Sequence, residues 1–279
     1  MKRSVPLFLF FIFTCFSFQV LFSGSYGWQV KYSPENSVLE RIPPPKGFGR
    51  IQTKSGSFAE WLQHLPLKEA GSKVYLYNGS LKNRQDVHEA VIDIDAGSAD
   101  LQQCADAVMR LRAEYLFSRG FIDSIHFKYT SGFECGFKKW SEGFRPVVKG
   151  NSVSWAKSAV KDPSYKNFRK YLDNIFSYCG TLSLSGELKK VSSLKDMQIG
   201  DVFIFGGSPG HAVIVLDMAE SKAGEKLFMI AQSYMPAQNI HILKNFNDAK
   251  LSPWYSLEQI NEKLETPEWT FSRNELKRF

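Results

Sequence analysis

The chain contains stretches with helical spacing of apolar residues and stretches with strand-like spacing. Apolar side chains recur every three to four positions over residues 100–117, and this spacing predicts an amphipathic helix. Shorter helices are predicted over 58–65, after the capping residue Ser57 and before Pro66, and over 165–178. All three predicted helices therefore precede residue 180.

Strand-like patterns begin early and dominate after residue 200. Apolar runs bounded by turn residues predict strands at 73–77, 88–94, 202–205, 211–218, 227–234 and 240–243. The last four follow one another through short connections, which is typical of an antiparallel meander. Helices followed by such a meander predict an α+β fold in which the helices pack on an antiparallel sheet.

The N-terminal segment 1–25 has the order of a secretion signal. Lys2 and Arg3 precede an uncharged run rich in Phe and Leu, and small residues follow at Ser23, Gly24 and Ser25. We expect export to the periplasm, the cell envelope or the medium, and a retained membrane anchor is the alternative. Residues 26–279 show no repeat and no linker, so they are predicted to form a single globular domain without a membrane span.

The charge balance is basic. The net charge of +7 falls by two, to +5, without Lys2 and Arg3. Such an excess, interpreted as spread along the chain, suits an anionic envelope or wall surface. No block of basic and aromatic residues indicates nucleic-acid binding, and no cofactor is predicted. The sequence does not indicate an oligomeric state.

Cysteine usage adds a constraint. Loss of the predicted signal would remove Cys15 and leave Cys104, Cys135 and Cys179. In an oxidising compartment three cysteines can close one disulfide and leave one thiol. We predict that Cys135 pairs with Cys179 and that Cys104 keeps the free thiol.

The most specific motif is a hairpin between residues 200 and 215. Gly200-Asp201 opens its first strand, a glycine-rich turn follows, and Gly210-His211 opens its second strand. A histidine at that position stands at the rim of the sheet, where a substrate can approach. This hairpin resembles the histidine-bearing hairpin of the NlpC/P60 and CHAP branches of the papain-like cysteine hydrolases.

The resemblance implies a papain-like fold and a set of catalytic residues. In those families the nucleophilic Cys lies earlier, on a helix, and a polar residue on the strand after the His orients the imidazole. Cys104 and Gln232 occupy the matching places here. Cys104 would attack an amide carbonyl, His211 would act as base and then as acid, and Gln103 with backbone N–H groups would stabilise the oxyanion.

The strand register decides whether the Gln232 amide can reach the imidazole. If Ala219 pairs with Leu227, residue 235 lies opposite the histidine, and a shift of the turn by a few residues brings Gln232 there. Asn239 and His241 are the alternatives for the orienting role.

A structural explanation competes with the catalytic one. Cys104 lies on the apolar stripe of its predicted helix, and a cap at Ser98 or Asp100 would place it at least one turn from the helix N-terminus. A cysteine in that position would be a buried, inert thiol. The separation of Cys104 from His211 also exceeds the usual spacing in those hydrolases, and their Asp-Cys-Ser/Thr-Gly start is absent.

A closer resemblance covers nearly the whole chain after the predicted signal. It rests on the runs at 101–116, 180–184, 200–215 and 231–243 and on the pairs Trp254-Tyr255 and Glu268-Trp269. These runs are similar to a bacterial secreted family catalogued as domain of unknown function 4846. That resemblance implies no established substrate and assigns no catalytic residues.

Two further groups of residues could have a chemical function. Asp93, Asp95 and Asp100 lie near His88 in sequence, but their spacing matches no metal-ligand pattern, so we predict no metal site. Large aromatic side chains could stack sugar rings, and they are Trp140, Phe144, Trp254, Tyr255 and Trp269.

The sequence thus predicts an exported α+β protein of papain-like fold and leaves three functions open. The first is a thiol hydrolase that cleaves amide bonds in cell-wall peptides or proteins. The second is a non-catalytic envelope protein that binds a glycan or peptide on the same scaffold. The third is an inhibitor or structural partner without pocket chemistry.

Overall fold

A computed structural model describes residues 26–29 and 31–279, so the predicted signal at 1–25 lies outside the described residues. The helices are α1 (Val38–Arg41), α2 (Phe58–Gln63), α3 (Cys104–Ser118), α4 (Phe137–Ser141), α5 (Tyr165–Tyr178) and α6 (Thr181–Glu187). The strands are β1 (Phe48–Arg50), β2 (His88–Val91), β3 (His126–Lys128), β4 (Glu134–Gly136), β5 (Phe144–Lys149), β6 (Ser152–Lys157), β7 (Lys189–Lys190), β8 (Val202–Phe205), β9 (His211–Ser221), β10 (Lys226–Gln232), β11 (His241–Leu243), β12 (Tyr255–Ser256), β13 (Lys263–Glu265), β14 (Thr270–Ser272) and β15 (Leu276–Arg278).

A nine-stranded antiparallel sheet organises these elements. Its order is β2-β11-β10-β9-β8-β15-β7, with β1 added beside β9 and β12 beside β10. The consecutive strands β8 to β11 form the meander that the sequence predicts. Three separate two-stranded sheets pair β3 with β4, β5 with β6, and β13 with β14. Helices and antiparallel sheets together confirm the α+β class.

The two faces of β9 enter different apolar clusters. Ala212 and Ile214 belong to the cluster that contains the apolar residues of α3 and α5. Val213 and Val215 belong to a second cluster, on the other face of the sheet. Because side chains alternate along a strand, His211 lies on the same face as Val213 and Val215. Burial on both faces explains why this strand is apolar at nearly every position.

Two predicted helices are confirmed nearly as the sequence places them. The Ser57 hydroxyl accepts a hydrogen bond from the Glu60 N–H at 3.2 Å and caps α2. Helix α5 has its predicted bounds, and the Ser164 hydroxyl caps it by accepting from Asn167 N–H at 3.3 Å. Among the described residues, no helix has both the length and the apolar character that a membrane crossing requires.

The third helix begins later than predicted, because its expected cap has another partner. The Asp100 carboxylate accepts from the backbone N–H of Ala237 at 2.7 Å and is thereby tied to the loop after β10. The Asp106 carboxylate instead accepts from the Gln103 N–H at 3.0 Å and closes the start of the helix. Cys104 is therefore the first helical residue.

The first two predicted strands are less regular than expected. The segment 73–77 contains only isolated bridges, Tyr75 with Leu81 and Leu76 with Gln238. The expected turn at Asn78-Gly79 is present, since the Gly79 N–H donates to Leu76 O at 3.0 Å. The second predicted strand ends at Val91 as β2.

Candidate functional site

The sulfur of Cys104 lies beside the backbone at the start of β9. Its Sγ is 4.0 Å from the carbonyl oxygen of Gly210, and the backbone N–H groups of Ala105 and Ala212 donate toward it. Gly210 and Ala212 flank His211 in the chain. His211 begins β9, which pairs with β8 along one edge. The prediction that Cys104 lies at least one turn inside its helix is therefore wrong. It occupies the first turn, where helix N–H groups lack intrahelical acceptors.

The environment of this thiol keeps it protonated at neutral pH. Cys104 is 5 % exposed, and burial raises the pKa of its thiol to about 11, with a smaller contribution from the negative charge of Asp106. Nearby backbone N–H groups oppose this rise without cancelling it. The resting site thus contains a thiol and not a thiolate.

A cleft of about 790 Å³ opens in front of Cys104. It is bounded by the start of α3, by the junction of α5 and α6, and by the glycine-rich turn between β8 and β9. Leu182 and Met235 line the cleft with exposed apolar side chains, and Cys179 contributes a second thiol. The cleft is large enough for several residues of an extended peptide.

His211 and Gln232 are in direct contact, as the sequence predicts. The imidazole Nε2 lies 2.7 Å from the Gln232 side-chain oxygen, and each residue is 1 % exposed. The His211 ring packs against three aromatic rings, with centroids at 4.8 Å for Tyr234, 5.3 Å for Trp269 and 5.8 Å for Phe271. This packing fixes the ring plane. Among the described residues, His211 does not line the cleft, and the hydrogen bond of the Cys104 sulfur goes to the Gly210 carbonyl oxygen and not to the imidazole.

The strand register explains how Gln232 reaches His211. The assumed pairing of Ala219 with Leu227 is present, and an irregularity at Met229 and Ile230 then shifts the pairing by one residue. The pairing of β10 with β9 ends at Ala231 and Ile214. Gln232 is the next residue of β10, and its side chain contacts the imidazole.

A buried network fixes the orientation of the Gln232 amide. Its Nε2 donates to one oxygen of the Glu268 carboxylate at 2.7 Å, and Lys82 donates to the other oxygen, also at 2.7 Å. A carboxylate only accepts hydrogen bonds, so the amide nitrogen must face Glu268 and the amide oxygen must face His211. Nε2 of His211 therefore carries the proton, and Nδ1 carries the lone pair.

His241 supports the same network from the opposite side. Its Nδ1–H donates to the carbonyl oxygen of Asn239 at 2.9 Å, which leaves Nε2 as the acceptor facing the Gln232 amide nitrogen at 3.4 Å. His241 is thus in contact with the orienting residue and not with His211. The Asn239 side chain faces elsewhere and accepts from the Tyr75 N–H at 2.9 Å.

Burial controls the protonation of both histidines. It lowers the pKa of His211 to about 4 and that of His241 to about 3. Lys82 adds a smaller repulsion at each ring, whereas the hydrogen bond from His211 to Gln232 opposes the shift. Both rings are neutral at physiological pH, so His211 can accept a proton there.

The motif residues of the hairpin have structural roles. A Cβ on Gly210 would lie 2.2 Å from the Thr181 hydroxyl oxygen, so only glycine fits there. Gly200 has a φ of +94°, a conformation that favours glycine. The Asp201 carboxylate accepts from Arg278 Nε at 2.6 Å and Nη2 at 2.8 Å, and this clamp ties the hairpin to β15.

The predicted oxyanion residue, Gln103, lines the cleft next to Cys104. Its side-chain nitrogen donates to the Asp100 carboxylate at 3.1 Å, which uses one of its two N–H bonds. The second N–H of the Gln103 side chain is available to an oxygen in the cleft.

The state of the cysteines contradicts the predicted disulfide. Cys104, Cys135 and Cys179 are all free thiols. Cys135 is buried in β4, with its sulfur 3.6 Å from the Tyr129 hydroxyl oxygen, whereas Cys179 lies at the end of α5 and lines the cleft. The predicted bridge between Cys135 and Cys179 is not formed.

The acidic cluster considered for metal binding does not converge. Asp95 binds Arg110 and Arg169, and Asp93 accepts from the Gln29 side chain at 2.7 Å. His88 Nε2 faces the Ser72 carbonyl oxygen at 3.0 Å. Within 26–29 and 31–279, no group of three or more His, Cys, Asp or Glu residues could hold a metal ion.

The aromatic residues considered for sugar stacking are distributed over separate regions. Trp140 packs against Tyr171 with ring centroids 5.8 Å apart, and Trp254 is buried with its indole N–H on the Pro43 carbonyl. Tyr255 packs in the second apolar cluster, and Phe144 lies beside Lys139. Trp269 alone of this set packs against the candidate site.

Sequence reasoning missed Glu268, Lys82 and Tyr234. Glu268 belongs to the Glu268-Trp269 pair that supports the family resemblance, and this pair is the signal that could have identified it. Lys82 lies in an irregular segment with no motif around it. Tyr234 follows the end of β10, and its place next to His211 depends on the shifted register.

Comparison with known proteins gives a family and no activity. The family described as domain of unknown function 4846 matches residues 38–278. No curated protein and no solved structure matches the chain. Since the match covers most of the sequence and includes Cys104, His211, Gln232 and Glu268, the chain belongs to the family described as domain of unknown function 4846.

Proposed function

We propose that this protein is an exported thiol hydrolase that cleaves amide bonds in cell-wall peptides or proteins. Cys104 is the nucleophile, His211 is the general base and acid, and Gln232 orients the imidazole. The observation that carries the proposal is the 2.7 Å contact between His211 Nε2 and the Gln232 oxygen. It directs the lone pair of Nδ1 away from the network, and Nδ1 has no hydrogen-bond partner among the described residues.

The first half of the reaction forms a thioester. As the Cys104 sulfur attacks the amide carbonyl carbon, His211 Nδ1 takes the thiol proton and becomes imidazolium. The tetrahedral intermediate collapses with cleavage of the C–N bond, and the same proton passes to the leaving amine. The acyl group then remains on sulfur, and His211 is neutral again.

The second half consumes water. His211 Nδ1 removes a proton from a water molecule as its oxygen attacks the thioester, and the imidazolium returns that proton to the departing sulfur. The products are a carboxylic acid and an amine, and the enzyme regains its thiol. Gln103 and the first-turn N–H groups of α3 would stabilise the oxyanion in both halves.

The high pKa of the thiol selects a particular version of this mechanism. With the Cys104 pKa at about 11 and the His211 pKa at about 4, the resting pair is neutral and is not a preformed thiolate–imidazolium pair. Proton transfer is then concerted with attack on the bound substrate. Substrate carbonyl polarisation by the oxyanion donors is required for each turnover.

The fold class and the cleft support a peptide substrate. A cysteine at a helix start, a histidine at a strand start and an amide on the next strand reproduce the order of groups in papain-like hydrolases of the NlpC/P60 type. The cleft holds an extended segment, and the apolar side chains of Leu182 and Met235 can contact residues on either side of the cleaved bond.

The proposal is tested by turnover of defined wall material. Purified protein is incubated with bacterial muropeptides and with a peptide library, and new amino termini are identified by mass spectrometry. We expect cleavage by the native protein and a loss of about 10³-fold or more in the Cys104→Ser variant. Cys179→Ser is the matched control, since it changes a second thiol of the same cleft and should retain cleavage.

Two results would contradict the hydrolase. One is the absence of cleavage by the native protein on all of these substrates. The other is equal cleavage by the native protein and Cys104→Ser. Binding of wall material that survives Cys104→Ser, with no turnover, would identify the non-catalytic binding protein instead.

A further inference from the structure

The segment from α4 to β6 is strongly basic. Without Lys2 and Arg3 the sequence has 33 Lys and Arg against 28 Asp and Glu, an excess of five. The segment from α4 to β6, which we name the basic arm, spans residues 137–157 and contributes an excess of four. It contains Lys138, Lys139, Arg145, Lys149 and Lys157 against the single acid Glu142. Residues 41–54 carry an equal excess without any acid, so the basic charge is spread over several segments, and the basic arm is one of them.

Three of the five basic side chains of the arm are available to bind a partner. Lys138 pairs with Asp123 at 2.8 Å, and Arg145 donates to the carbonyl oxygens of Trp140 and Phe144. Lys139, Lys149 and Lys157 are exposed and have no acidic partner within the part of the chain that the structure describes. Lys139 and Lys157 lie 5.3 Å and 5.8 Å from the centroid of the Phe144 ring. This cluster presents three uncompensated cations.

The arm also exposes apolar residues next to its lysines. Strands β5 and β6 pair only with each other, and Val153 and Trp155 pack against the main apolar cluster. Toward the tip of the hairpin, Val147 is 38 % exposed and Val148 is 36 % exposed. Consecutive strand residues point to opposite faces, so a partner that surrounds the tip can contact both valines.

We infer that the basic arm is a docking surface for anionic phospholipid membranes. The three free lysines meet the headgroup charge, and each basic residue near such a surface contributes a roughly fivefold gain in binding. Val147 and Val148 reach the apolar boundary below the headgroups, where burial of their side chains is favourable. A soluble anionic polymer would bind the lysines but would gain nothing from the exposed valines. A lipid surface therefore explains both the lysines and the valines of the arm.

Vesicle flotation of the full chain tests this inference. The probe is a set of vesicles that contain phosphatidylglycerol as a minor component in phosphatidylcholine, and pure phosphatidylcholine vesicles serve as the neutral reference. We expect binding to the anionic vesicles that weakens strongly as the salt concentration is raised, because salt screens an electrostatic contact. The triple variant K139E/K149E/K157E should lower the partition coefficient by roughly 100-fold or more.

A matched control separates the arm from the overall charge. The variant K222E/K250E/K263E makes the same change in net charge at three exposed lysines outside the arm and should bind nearly as the native protein does. The uncharged change V147S/V148S should reduce binding several-fold, since it removes only the apolar contact. Circular dichroism of each variant verifies that the fold is retained.

Four outcomes would overturn the inference. They are no preference of the native protein for anionic vesicles, an equal loss in the two triple-lysine variants, unchanged binding in V147S/V148S, and binding to soluble dextran sulfate without binding to vesicles. The third and fourth would identify an anionic polymer as the partner. The test does not depend on amide cleavage, so its result is independent of the proposed hydrolase.

Discussion

His211 and His241 flank the same glutamine but differ in what they leave available. Both rings are buried, and burial lowers the pKa of each. His241 uses both of its nitrogens, one on the Asn239 carbonyl oxygen and one on the Gln232 amide. His211 uses only Nε2 and keeps a lone pair on Nδ1. Two residues of one type in one network therefore differ in whether a ring nitrogen is left without a hydrogen-bond partner among the described residues.

The difference follows from their places in the sheet. His241 pairs with Gln232 on β10 and with Val91 on β2, so strands flank it on both edges. His211 is the first residue of β9 and pairs with β8 on one edge, while the Cys104 sulfur lies at the neighbouring backbone. Within the part of the chain that the structure describes, the start of a strand thus leaves one ring nitrogen without a hydrogen-bond partner, whereas in the interior of the sheet both nitrogens have partners.

The largest expected effect distinguishes the two rings directly. His211→Ala should lower kcat/KM for amide cleavage by about 10²- to 10⁴-fold, because it removes the proposed general base. His241→Ala should lower it less than tenfold while reducing the free energy of unfolding by about 1–3 kcal/mol, since buried polar partners lose their hydrogen bonds. Steady-state kinetics and denaturant titration measure the two quantities. Equal kinetic losses in the two variants would remove the distinction between them.

A smaller effect is expected when Glu268, the carboxylate of the network, is replaced by a neutral amide. Glu268→Gln should lower kcat/KM by roughly 10-fold, because a neutral amide no longer fixes the orientation of Gln232 and the His211 tautomer becomes mixed. Nitrogen NMR of the imidazole should report the Nε2–H tautomer in the native protein and a mixture in the variant. The control is Glu265→Gln, an exposed strand residue with the same chemical change. An unchanged tautomer in Glu268→Gln would contradict the role of the carboxylate.

The pH dependence should separate activity from stability. The base form of His211 exists above its pKa of about 4, so kcat/KM should be constant near neutrality and should fall about tenfold per unit below pH 4. A preformed ion pair would instead give an acid limb set by the thiol. An activity profile that falls already below pH 6.5 would indicate an unperturbed histidine.

The smallest effect concerns the contribution of His241 to stability. Its folded pKa of about 3 lies below the unfolded value near 6.5, so the unfolded state binds more protons and stability falls as pH drops from 6.5 toward 3. His241→Gln should remove about 2 kcal/mol of the loss measured between pH 6.5 and 5. Denaturant titrations at the two pH values measure it. An identical pH dependence in the variant would show that His241 is not a source of acid sensitivity.

Local patterns were sufficient for much of the fold. The apolar runs predicted β8 and α5 with their observed bounds, and the assumed pairing of Ala219 with Leu227 across the turn is present. The start of α3 was not predictable in this way. It depends on the contact between Asp100 and the Ala237 N–H, two residues separated by 137 positions in the chain. Capping preferences alone cannot anticipate such a partner.

In the candidate site, too, some contacts follow from local sequence patterns and others do not. His211 and Gln232 could be paired from the hairpin register because they lie on adjacent strands of the meander. Glu268 lies 36 positions beyond Gln232, and Lys82 lies 186 positions before Glu268, so their contacts depend on the packing of distant segments. The absence of a bridge between Cys135 and Cys179 likewise depends on where β4 and the end of α5 place their thiols.

Activation of Cys104 by His211 is tested most directly by acyl transfer to the protein. The measurement is the rate of covalent labelling by an activated peptide ester, followed by mass spectrometric mapping of the modified thiol. We predict an acyl adduct on Cys104 that forms roughly 100-fold more slowly in His211→Ala and at a nearly native rate in His241→Ala. Labelling of Cys104 at the same rate in His211→Ala, or labelling confined to Cys179, would contradict activation by His211.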